Sequence, residues 1–145
     1  MIQLTPELLY MAMDDVPDKD LAKAYVKARE VERWLLNKSA YGIAFNQLGL
    51  PYRVFVVKKP RKLKLPSDIF INPTFEGQGD QFENSEGCLS FPKEIFKVMR
   101  YPAVWLRWYS PYDQERKECL VHDMGAIVAQ HEIAHLDGKP EKEAE

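Results

Sequence analysis

The residues with the clearest chemical potential stand near the end of the 145-residue chain, in "AQHEIAHLDG", residues 129–138. His131 and His135 lie four apart, with Glu132 between them. On a helix, residues i and i+4 stack one turn apart on one face, so two imidazoles there could share one metal ion. A catalytic site of zinc type uses three protein ligands and keeps a fourth position for water. The ion lowers the pKa of that water toward neutrality. A carboxylate beside a ligand can take the proton as the hydroxide attacks and pass it to the leaving group. "HEIAH" therefore offers two ligands and a general base, Glu132, in five residues. The bland alternative is a helix that happens to carry these side chains. They stand among Ile127, Val128, Ala129, Ile133 and Ala134, and burying three ionisable groups there without a shared partner is costly.

The third ligand is not obvious downstream. Asp137 follows His135 by two and falls at the helix end, and Glu141, Glu143 and Glu145 lie in a polar tail. Upstream candidates are Cys88, Cys119 and His122, besides scattered carboxylates. Cys88 has the best context, between Gly87, which permits close backbone approach, and the strand-like "LSFP". Cys119 in "RKECLVH" reads as a small core residue. His122 ends that strand and could cap the helix.

These residues need elements to position them. Thr5 and Pro6 suggest a short helix running to about Met13. A long amphipathic helix follows. Leu21, Ala24, Ala28, Val31 and Leu35 recur at three and four, with Asp18 as its cap. From about residue 40 the pattern changes. "YGIAFNQ", "RVFVVKK", "DIFINPTF", "QFENSEGCLSFP", "KVMRYPAVWLRWYS" and "RKECLVH" read as about six strands separated by turns. Val104, Leu106 and Trp108 should share one face. Residues 123–138 return to helical spacing, with Ile127, His131, Ala134 and His135 on one face and Gly138 as the C-terminal cap. Grouped strands between helices predict an α+β domain, mainly antiparallel strands packed around a C-terminal HExxH helix, with a long N-terminal helix. One domain over residues 1–145 is expected, ending in a polar, frayed tail from about 139.

Composition adds exclusions. The chain is 46% hydrophobic and 29% charged, with a net charge of −2, so neither DNA nor an anionic membrane is the expected main partner. No apolar run approaches the roughly 18 residues of a membrane span, and the N-terminus lacks the basic start of a secretory signal. A cytoplasmic protein is expected. The basic run "KKPRKLKLP", residues 58–66, reads as a solvated loop, with RNA or the ribosome as the lesser alternative.

Three stretches together resemble a known family. "GIAFNQ" (42–47), "EGCLS" (86–90) and "QHEIAHL" (130–136) look like the signature motifs of peptide deformylase, in the right order and at similar spacing. The likeness covers roughly residues 40–138. It implies an enzyme that removes the formyl group from the N-terminal formylmethionine of new polypeptides. By resemblance, one divalent metal is held by Cys88, His131 and His135. Fe²⁺ would be native, and Zn²⁺, Ni²⁺ or Co²⁺ would also suit. Glu132 would be the base. Gln47 and the backbone N–H of Leu89 would face the developing oxyanion. The peptide would add as a strand along Tyr41, Gly42 and Glu86, Gly87 and onward to Leu89, with Met124, Ile127 and Val128 beside the methionine side chain. Implied partners are a formyl-Met peptide or nascent chain and a weak ribosome contact, with the enzyme a monomer in a bacterial cytoplasm, or an infected host's if phage-encoded.

The chain departs from the pattern. Ala40 replaces a glycine, and Phe45 a small residue, either narrowing a channel or filling the core. Ala134 stands where an aspartate usually precedes the second histidine, which leaves Arg100 without that acid. Ile95 stands where relatives carry an arginine. The chain ends soon after the last motif, as in a divergent, C-terminally short, phage-type member. Competing readings are an HExxH metalloprotease, another amide hydrolase, or an inactive metal-binding relative. A ligand upstream at Cys88, with nothing suitable downstream, disfavours the protease.

Overall fold

The four-residue spacing of small and branched apolar residues builds helix α1 (Leu21–Leu35), whose Ala24, Ala28, Val31 and Leu35 are all buried. The structure, a computed structural model, describes residues 1–140. A 3-10 turn, Asp18–Asp20, leads into α1. Asp20, not Asp18, holds the N-cap position, and it makes no side-chain cap bond. The helix expected from Thr5 to Met13 does not form, and the segment makes turns instead. Its backbone is committed elsewhere: the Thr5 N–H donates to Gln47 O at 3.0 Å and the Met13 N–H to Leu136 O at 2.7 Å. Tertiary backbone bonds thus override a local capping signal.

Among the described residues seven strands form where about six were expected. They are β1 (Gly42–Ala44), β2 (Val54–Val57), β3 (Ile69–Gln78), β4 (Phe82–Cys88), β5 (Phe91–Arg100), β6 (Ala103–Ser110) and β7 (Glu115–His122). The run read as one strand from Lys97 to Ser110 breaks at Tyr101–Pro102, because proline cannot continue a ladder. Its halves join different sheets. One sheet has the order β1-β2-β3-β6-β7, and β4-β5 form a second, two-stranded one. All pairs are antiparallel. Leu89 and Ser90, read as strand-like, make the β4–β5 turn.

Alternation divides the large sheet's side chains into two cores. Val54, Val56, Ile69 and Ile71 pack with α1 and with Phe45. Phe55, Val57, Phe70, Leu106 and Trp108 pack with helix α3 (Asp123–Leu136). Val104, Leu106 and Trp108 are buried on one face, as their spacing predicts. Phe45 is fully buried, so it fills core and does not narrow a channel. Cys119 is half-buried against the second core.

Helix α3 carries the histidines. His122 stands at its N-cap position, but its side chain makes no cap bond. At the other end Gly138 adopts φ +72°. Its N–H reaches His135 O and the Lys139 N–H reaches Ala134 O, both at 2.9 Å, the paired bonds of a Schellman cap. Asp137 is bound to Arg53 at 2.8 Å, away from any ligand role. Of the expected frayed tail, Pro140 is buried, and residues 141–145, with their glutamates, lie outside the described residues. The basic run is not only a loop: Pro60–Leu63 form a short helix, α2, whose Leu63 is buried, as is Leu65 beyond it.

Candidate active site

Two periodicities meet at the site. On β4, Glu86 and Cys88 are two residues apart, a step of about 6.6 Å along a regular strand, and the pairing with β5 shifts register between them. On α3, His131 and His135 are four apart, a step of about 6 Å along a helix. The steps match, so Glu86 pairs with His131 and Cys88 with His135. His131 Nδ1 lies 2.8 Å from Glu86 Oε1, and Cys88 Sγ lies 3.2 Å from His135 Nε2. One donor atom from each of Cys88, His131 and His135 falls within 4.8 Å of the others. Cys119 and His122, the other upstream candidates, are not in this group.

Electrostatics prepare these donors. Burial raises the pKa of Glu86, but the hydrogen bonds from His131, Arg100 and Asn84 and the Arg100 charge outweigh it and hold the carboxyl at about 2. An ionised carboxylate only accepts, so His131 Nδ1 donates to it, which leaves Nε2 as the ring atom free to face an ion. Burial first, then the nearby His131 and Arg100, keep the His135 pKa well below the usual range, so its imidazole stays neutral. A cysteine sulfur and two imidazoles are the donor types that Fe²⁺ and Zn²⁺ take. The residues therefore fit a single divalent ion.

Arg100 is not left without an acid by Ala134. Its guanidinium forks onto Glu86, with Nε at 2.9 Å and an Nη at 2.8 Å. Both side chains are more than nine-tenths buried. Asn84 adds a third donor to Glu86 at 2.9 Å.

Glu132 is buried, at 4% exposure. Gly42 on β1 makes room for it: a Cβ at Gly42 would stand 3.0 Å from Glu132 Oε2 and 3.2 Å from Val56 O. Gln47 leaves β1 on the 3-10 turn Phe45–Leu48. Its Oε1 accepts the Ala44 N–H at 3.0 Å. That fixes the amide so that Nε2 points at Cys88 Sγ (3.6 Å) and Ser90 Oγ (3.0 Å).

A cleft of about 500 Å³ opens over these groups. Cys88, His131, Glu132, Gln47 and Leu89 line it, while His135 lies beneath, fully buried. Tyr41, Gly42, Glu86 and Gly87 also line it, as do the α3 residues Met124, Ile127 and Val128. Every predicted site residue thus comes to one place. Sequence reasoning missed the roles of Asn84, Ser90 and Asn46. Asn84 had a signal, since it precedes Glu86 by two and shares its face. Asn46 had none: its buried amide reaches Leu8 O, Met11 O and His135 O across the fold.

The sequence matches the polypeptide deformylase family over residues 3–141. It is 33% identical to a peptide deformylase of Aquifex aeolicus over 127 residues, 86% of this chain and 72% of that one. The fold superimposes on a probable peptide deformylase from Synechococcus phage S-SSM7 with TM-score 0.78 at 22% identity, covering 98% of each. It is also similar to a Met-Ala-Ser-bound class I type b peptide deformylase of Acinetobacter baumannii, with TM-score 0.80 at 25% identity, covering 99% of this chain and 96% of that one. A match along nearly the whole length, on a chain of the same fold, leaves one assignment: this chain belongs to the polypeptide deformylase family.

Proposed function

We propose that Cys88, His131 and His135 hold the divalent ion on which the family's reaction, removal of the formyl group from formyl-Met peptides, depends, and that Glu132 moves the proton. The observation that carries this is the convergence of one thiol and two imidazoles within 4.8 Å, with Glu132 in the same cleft. When bound, the ion acidifies a water and polarises the formyl oxygen. Glu132 takes the proton from the attacking water and delivers it to the departing amine, giving formate and a free methionine terminus. The Gln47 Nε2 and the Leu89 N–H donate to the oxygen on which charge develops. The peptide lies between two strand edges. Among the described residues β1 is the outer strand of its sheet and β4 pairs only with β5, so both offer unpaired backbone to an extended chain. Met124, Ile127 and Val128 receive the methionine side chain.

We take Fe²⁺ as the native ion from the family resemblance, with Zn²⁺, Ni²⁺ and Co²⁺ as functional substitutes, since a thiolate and two imidazoles accept any of them. We assign the protein a monomeric, cytoplasmic role on nascent chains, with ribosome contact weak. No helix among the described residues is long and apolar enough to cross a membrane. The test is formate release from a formyl-Met peptide by protein prepared without oxygen and loaded with Fe²⁺ or Ni²⁺. Glu132→Ala should lower turnover by about 10²–10⁴-fold with metal still bound. Full turnover in that variant refutes the base. Full metal occupancy in Cys88→Ala refutes the third ligand.

A further inference from the structure

We propose that the basic turn at residues 58–64 is a cationic rim that selects formyl-peptides carrying acidic side chains a few residues after the methionine. This rests on the cleft being the peptide groove. Lys58, Lys59, Arg61, Lys62 and Lys64 place five positive charges in seven residues of a chain whose net charge is −2. Lys59, Arg61, Lys62 and Lys64 are exposed, and none forms an ion pair among the described residues.

The turn is built, not loose. Leu63 and Leu65 are buried beneath it, and Leu63 O packs so closely on Gly125 of α3 that a Cβ there would stand 2.5 Å away. Lys59 and Lys64, at φ 54° and 56°, are both left-handed. Non-glycine residues keep that conformation only where the surroundings impose it.

The turn also stands at the cleft's mouth. Lys62 Nζ lies 5.5 Å from the centre of the Tyr41 ring, and Tyr41 lines the cleft. The Lys58 N–H donates to Tyr41 O at 2.9 Å, extending the β1–β2 pairing in which Gly42 faces Val57. Gly42 packs against Glu132: a Cβ there would stand 3.0 Å from Glu132 Oε2. A peptide that reacts there and leaves along the open edge of β1 passes Tyr41, Ala40 and Ser39, advancing about 3.3 Å per residue. Its side chains two to four residues past the methionine come within reach of Lys62 and Lys59. Ser39, Asn84 and Ser85, which line the cleft nearby, are uncharged; of the two carboxylates that also line it, Glu86 is paired with Arg100 and Glu132 is buried. An occupant of opposite charge is an acidic peptide segment, and charges within a Debye length of about 10 Å attract it.

The experiment compares kcat/KM for formyl-Met-Ala-Glu-Glu and formyl-Met-Ala-Gln-Gln. Metal-loaded wild type and Lys59→Glu/Lys62→Glu are used at about 20 mM and about 0.5 M salt. The ratio is the readout. Wild type should favour the acidic peptide about five-fold at low salt, with the ratio near one at high salt and below one in the variant. A ratio near one in wild type at low salt overturns the proposal, as does a preference that survives the charge reversal. An unchanged ratio, with loss of binding to a ribosomal RNA fragment in the variant, overturns it in favour of a nucleic-acid surface. No formate from either peptide sinks the reading of the cleft itself.

Discussion

The Glu86 carboxylate joins His131 to Arg100: Oε1 lies 2.8 Å from His131 Nδ1 and 2.8 Å from an Arg100 Nη. One buried anion thus sets the tautomer and orientation of an imidazole in the donor cluster while neutralising a buried guanidinium. Partners of this kind are worth about 10–100-fold in metal affinity. Glu86→Gln keeps the shape but loses the charge, so it should weaken metal binding by about that factor. Competition with a chelating dye measures it, with circular dichroism as the check on folding. Unchanged affinity would remove Glu86 from the support of the site.

Gly42→Ala tests the space reserved for the base. The added methyl would meet Glu132 Oε2 at 3.0 Å and Val56 O at 3.2 Å. The strand backbone is held by pairing with Val57, so the carboxylate is the part that yields. A displacement of order 1 Å at a reacting group costs about 10²-fold. The variant should therefore lose about that in kcat while binding metal normally. Metal content beside single-turnover rates separates the two. Wild-type kcat would show that Glu132 tolerates the intrusion.

His131 and His135 were legible in the sequence because their geometry is local, i and i+4 on one helix, and Cys88 because it stands in the motif "EGCLS" beside Gly87. The long helix was legible for the same reason, since Ala24, Ala28, Val31 and Leu35 repeat at helical spacing. What depended on distant contacts was not. The turns near Thr5 follow from backbone bonds to Gln47 and Leu136. The partner of Arg100 was sought at position 134, on α3. It stands instead on β4, across the hairpin, where Phe82 pairs with Arg100 and Glu86 with Phe96. Side-chain reach across a hairpin leaves no periodic trace in the sequence.

Gly138→Ala tests the clamp that fixes the end of the histidine helix. The residue has φ +72°, and a Cβ would stand 2.6 Å from Met11 C and 2.7 Å from Ala12 N. Both the left-handed conformation and the backbone contact oppose a side chain. The expected loss is about 1–3 kcal/mol of stability, read as a lowered denaturation midpoint in urea. Because Gly138 lies three residues past His135, faster metal release should accompany it. A midpoint within error of wild type would mean that the N-terminal segment moves aside without cost.

Glu32 makes stability depend on pH far from the cleft. Burial first, then a shared hydrogen bond with Asp68 and its charge, push the Glu32 carboxyl up to about 8, against the pull of Arg29 and Arg33. Arg29 lies 3.1 Å from Glu32 and 3.9 Å from Asp68. The shared proton sits on Glu32, since Asp68 is held below its ordinary range: burial opposes this, but hydrogen bonds from Glu32 and Tyr112 prevail. The sign follows from proton uptake. Between an unfolded value of 4.5 and a folded value of about 8, the folded state binds a proton that the unfolded chain has released, so stability falls as pH rises through that window. Glu32→Gln keeps a donor toward Asp68 without the proton to lose. Its melting temperature relative to wild type should therefore climb between pH 5 and pH 9, with little difference at the acid end. Calorimetric scans of both proteins across that range measure it. A difference that does not vary with pH would mean that Glu32 titrates as an ordinary surface carboxylate.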